Sequence, residues 1–110
     1  MTRNELLFQL RSLELRLLDP KVDEFIKKQD ETSRSRFVAL TFDLRIIIMK
    51  LTTAALIDIA NRLDDLSDEI EAGITGLQKE IDNLKKAVQV INTLSNVVGL
   101  AARIVGLVGV

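Results

Sequence analysis

The chain has 110 residues, 47% of them apolar and 28% charged, and a net charge of −1. That length suits one domain with a modest core, and the charge balance offers no basic surplus for phosphates, so no nucleic-acid partner is expected. His, Cys, Tyr and Trp are all absent, which removes disulfides, thiol nucleophiles, imidazole bases and the commonest metal ligands.

A single Pro and five Gly, against abundant Leu and Ile, point to an all-α chain of long helices. Thr2 and Glu5 have capping-box spacing. Leu6, Leu10, Leu13 and Leu17 then recur on one helical face, with charges around them. Such an opening reads as an amphipathic helix over residues 3–18 rather than a secretory signal, and the expected setting is cytoplasmic. Asp19-Pro20 ends this helix and offers an N-cap and first-turn Pro for a short one carrying Val22, Phe25 and Ile26. The N-terminal helices are thus assigned to residues 1–31. Residues 32–36 complete a stretch without any apolar side chain and read as a linker, with Thr32 or Ser33 capping the next helix.

From there a period of seven takes over. Phe42, Met49, Leu56, Leu63, Ile70, Leu77, Leu84, Ile91, Val98 and Val105 are all apolar, and the companion series from Ala39 to Ala102 is apolar or small. Roughly nine unbroken heptads predict a left-handed coiled coil. The apolar face is broad over residues 38–59, narrow over 61–86 and broad again beyond 87. Gly73-Ile74-Thr75-Gly76 lies near the midpoint of this pattern. A fold-back there predicts an elongated bundle with a coiled-coil hairpin, its arms spanning residues 37–72 and 76–108. It would bring Ile59 toward Val88, Leu51 toward Val97 and Asp64 toward Lys85. The heptad phase, however, runs straight through both glycines, which also suits one continuous helix of about 70 residues, roughly 105 Å long, in a coiled-coil oligomer.

Chemistry-bearing clusters are few. Asp64, Asp65, Asp68, Glu69 and Glu71 form a dense acidic group, which reads as a solvated helix flank because no His accompanies it. Arg45 and Lys50 can lay their stems along apolar surface while their charges reach water. No catalytic residue, cofactor, metal ion or small-molecule substrate is expected, and the chain reads as a non-enzymatic interaction protein. Its partner would be another copy of the chain or a helical protein, held by the seam Leu63, Ile70, Leu77, Ile81 and Leu84. The C-terminal stretch 91–110 gives a second reading. It is long enough to span a bilayer, which takes about 20 residues. Ser95, Gly99, Ala102, Gly106 and Gly109 supply a small-residue stripe of the kind that lets helices pack closely in membranes. Asn92, Asn96 and Arg103 oppose insertion. On this reading the protein is a pore-forming or permeabilising one located at a membrane.

Overall fold

Short polar signals open the first three helices, and the computed structural model describes residues 1–107. Thr2 Oγ1 accepts the Glu5 N–H at 3.1 Å and opens α1, Arg3–Leu17. Asp19 accepts the Lys21 N–H at 2.8 Å and, with Pro20 in the first turn, opens α2, Pro20–Lys27. Asp30 accepts the Ser33 N–H at 2.7 Å and opens α3, Glu31–Thr53. That hydrogen bond holds the Asp30 carboxyl below the usual carboxylate range. Residues 32–36 are therefore the first turns of α3 rather than a linker, and the cap lies two residues before Thr32. The polar run is helical because it projects into water, where it needs no apolar stripe.

Two further helices complete the chain: α4, Leu56–Asp82, and α5, Ala87–Val105. Among the described residues these five helices form a compact bundle without strands. Its long dimension is 43 Å, close to the ~40 Å expected of 27 helical residues, so α4 alone sets the length. A continuous helix over residues 37–105 is thereby excluded. The main contacts run α4 to α5, α3 to α5, α1 to α3 and α1 to α4, with α2 packed on α3 and α1. The result is a four-helix arrangement with α1 and α5 on one diagonal and α3 and α4 on the other.

The turn expected at Gly73–Gly76 is not there: α4 passes through both glycines without interruption. The chain breaks instead at Ala54-Ala55, both extended with ψ near 132–135°, and at residues 83–86. At the first break, Thr52 and Thr53 hydroxyls fold back onto the carbonyls of Ile48, Met49 and Lys50, which weakens a helix end. Arg3 Nη1 then donates to the freed Ala54 carbonyl at 2.7 Å. At the second, Asn83 leaves the helical region (φ −136°, ψ 66°). The hairpin of α4 and α5 consequently has a different register from the expected one. Gly73 faces Val97, Glu80 accepts the Thr93 hydroxyl at 2.9 Å, and Arg62 Nε donates to the Ile104 carbonyl at 2.9 Å.

The two mid-helix glycines have different reasons to exist. A Cβ on Gly73 would lie 3.1 Å from Val97 Cγ2, whereas a Cβ on Gly76 would meet nothing within 4 Å. Gly76→Ala is therefore expected to stabilise the protein by about 1 kcal/mol through helix propensity. Gly73→Ala should gain less or lose stability, because Val97 is fully buried and stiff at χ1. Thermal denaturation of both variants checks this; equal destabilisation would mean that the helix does not continue through the pair.

Candidate interaction surface

The period-seven series does not form one seam. Leu63, Ile70 and Leu77 are buried, and so is Ile81 of the companion series, but all four face the protein's own interior, while Leu84 is half-buried in the α4–α5 turn. Phe42 and Met49, in α3 before the first break, and Leu56, just after it, point outward and are about three-fifths exposed. The core face of α3 is carried instead by Phe37, Leu44, Ile47, Ile48 and Leu51. Period seven persisted in sequence across a chain break that rotates one helix relative to the next.

The proposed small-residue stripe is also divided. Ala102 is buried, Ser95 and Gly99 are half-buried, and Gly109 lies outside the described residues. Gly106 has φ +79° and closes α5, with the Leu107 N–H returning to the Ala102 carbonyl at 2.9 Å. It is a helix terminator of the left-handed type that favours glycine, not a packing position. The acidic residues Asp64, Asp65, Asp68, Glu69 and Glu71 are exposed along α4. Among the described residues, no group of three or more carboxylates is arranged to hold a metal ion.

What the heptad reading passed over is the outward face shared by α1 and α3. These helices run antiparallel, as Arg3 reaches Ala54 and Glu14 meets Arg45. α1 commits Leu6, Leu10, Leu13 and Leu17 to the core, which turns Phe8 and Leu15 directly outward, with Leu18 beside them. α3 similarly turns out Val38, Phe42 and Met49, at positions i, i+4 and i+11. All six side chains are 58–72% exposed, and Leu18, Val38 and Phe42 among them border one groove.

Between the helices runs a groove lined by Glu14, Leu17, Leu18, Val38, Thr41, Phe42 and Arg45. Its volume is about 190 Å³. It continues past Phe42 into an open depression bordered by Arg34, Ser35 and Ala39. Electrostatically the face is mixed. Arg45 Nε meets Glu14 Oε2 at 3.5 Å, and Arg11 Nη2 reaches the Thr52 hydroxyl at 3.4 Å. Of the six exposed apolar side chains, only Phe42 and Met49 belong to the period-seven series.

Comparison with models of known families, with curated proteins and with solved structures found no match. The surface is therefore interpreted from its own chemistry.

Burial separates the former seam residues. Leu77→Ala is expected to cost about 3 kcal/mol, as for a fully enclosed leucine, whereas Leu84→Ala should cost about 1 kcal/mol or less. Chemical denaturation at two protein concentrations checks both values. The Leu77 loss should not depend on concentration, and a concentration-dependent loss would return Leu77 to an intermolecular seam.

Proposed function

We propose that this chain is a non-enzymatic helical interaction module whose docking site is the outer face of α1 and α3, not its heptad seam. The observation that carries this reading is the set of six exposed apolar side chains on the outer sides of α1 and α3, three of which, Leu18, Val38 and Phe42, border one groove. A small α-helical domain gains nothing in stability from leaving two Phe, two Leu, a Val and a Met in water, whereas aromatic and Met side chains are the types that anchor protein interfaces. A groove between two helices, apolar along its floor and charged along its edges, suits a partner that lays apolar anchors into it. A cytoplasmic setting belongs to the same reading.

One observation favours a second reading. Helix α5 has 19 residues and a mean hydropathy of 1.4, enough by length and composition to cross a bilayer, although half of that stretch is buried inside the bundle. A membrane-active protein would have to open the α3–α5 and α4–α5 contacts before insertion. The buried half favours α5 as a core helix.

The test uses a photo-crosslinking amino acid at Ser35, on the α3 face, and at Thr75, on the polar flank of α4, in the full chain inside cells. The docking reading expects a discrete crosslinked product from Ser35 alone, lost when Phe42→Glu and Leu15→Glu are added. The purified chain should also remain unbound when floated with anionic or neutral liposomes. Equal crosslinking from both positions, or flotation that ends when α5 is deleted, would replace it.

A further inference from the structure

The break between α3 and α4 has no cause in its own two residues. Asp19-Pro20 and Asn83 mark other turns of the chain with residues that leave a helix readily. Ala54 and Ala55 are the strongest of helix formers and are nonetheless extended. Among the described residues no side chain caps α4, so the Leu56 and Ile57 N–H groups lack the Thr52 and Thr53 carbonyls that a continuous helix would supply. What bends the joint is tertiary. Arg3 Nη1 takes the Ala54 carbonyl, the acceptor that Asp58 would use in a straight helix, and α3 and α4 pack on α1 and α5 rather than on each other.

The chain therefore divides at the joint into two units, α1–α3 and the α4–α5 hairpin, each held by contacts of its own. Between the units run the α3–α5 and α1–α4 contacts, which can form equally well within one chain or between two. Straightening the joint in a pair of chains would keep those contacts and add the missing helical hydrogen bonds. Period seven crosses the joint in phase through Met49, Leu56 and Leu63, the phase of an uninterrupted helix. Leu56 and Ile57, 58% and 88% exposed in the first turn of α4, would then lie between the two bundles. Short hinge connections of this kind favour exchange of units between copies.

We propose that Ala54-Ala55 is a hinge through which two copies of this chain exchange their α4–α5 hairpins. In the exchanged dimer α3 and α4 are one helix over residues 31–82, roughly 78 Å long. Each α5 is covered by the α3 of the other copy, and the break at residues 83–86 is unchanged. Arg3 holds the monomer in its bent form.

Refolding the full chain from denaturant at about 1 mM, where a second chain competes with closure through a short linker, tests the exchange. Light scattering should find a dimer that persists on dilution, because reverting requires opening the core. Refolding at about 1 μM should give the monomer. The chain has no cysteine, so Arg36→Cys with Asn92→Cys, replacing a facing pair of α3 and α5, reports which chain supplies α5. A short bis-maleimide should close within one chain in the monomer and join two chains in the dimer. Proline fits the bent joint at residue 55, where φ is −69°, residue 54 is extended and, among the described residues, the N–H donates no hydrogen bond. It would break a helix running through that position. Ala55→Pro should therefore refold with wild-type helical content and give less dimer by more than about tenfold. Arg3→Ala should raise the ratio of dimer to monomer about fivefold.

A wild type that refolds only to monomer at both concentrations would overturn the exchange. So would a dimer whose cross-links close within single chains, or one that Ala55→Pro leaves undiminished.

Discussion

Helix α5 carries more apolar surface than any single neighbour can cover, and the arrangement of the other helices follows from covering it. Val90, Ile91, Leu94, Val97, Val98, Leu100, Ala101, Ala102 and Ile104 are all buried, a stripe wide enough to need two flanking helices. α4 lies on one side and α3 on the other. For α3 and α4 to flank the same helix, the chain has to break between them, and Ala54-Ala55 is where it does. Gly73 lets α4 approach Val97 closely, so this part of the α4–α5 contact depends on a missing side chain. α1 then closes the remaining side with its four-leucine face.

Arginines from other helices finish the broken ends. Arg3 of α1 takes up the carbonyl of Ala54 just beyond α3, and Arg62 of α4 takes up that of Ile104 near the end of α5. Both carbonyls are among those a helix terminus leaves without an intrahelical partner, and each such bond also opposes the negative end of a helix dipole. Arg16 pairs with Asp82 where α1 passes the end of α4, and Arg36 donates to Asn92 between α3 and α5 at 3.0 Å. These polar joints tie helix to helix at the ends and on exposed flanks of the bundle. The outer faces of α1 and α3 are left with their apolar residues turned to water, and this is where the interaction function is proposed to reside.

Local signals in the sequence are legible where they stand alone. The Thr2–Glu5 cap, the Leu6–Leu17 face and the Asp19-Pro20 boundary needed only one helix to be understood. The polar run at 32–36 resembles a linker because a helix can project polar turns into water, and its cap, Asp30, lies inside that same polar run. Period seven misled more deeply. It was a real regularity from Phe42 to Val105, but it could not reveal that Thr52-Thr53 weakens one helix end or that Asn83 terminates another. Glycine is the conspicuous breaker in a helical sequence, so Gly73–Gly76 attracted the turn, although one of those glycines serves close packing and the other serves nothing visible. The interaction face was hidden for the same reason. Phe42 and Met49 were assigned to a seam, and only the rotation of α3 relative to α4 shows that they are on the outside.

The central claim is that α5 is the permanent core of a bundle whose breaks fall at residues 54–55 and 83–86. Residue-resolved amide hydrogen exchange tests it most directly, because protection follows the stability of each element. Val97, Val98 and Ala101 should be among the slowest amides in the chain, with Gly73 and Gly76 protected as interior residues of α4. Fast exchange across Gly73–Gly76, or an α5 that exchanges freely while α1 to α4 stay protected, would contradict the account.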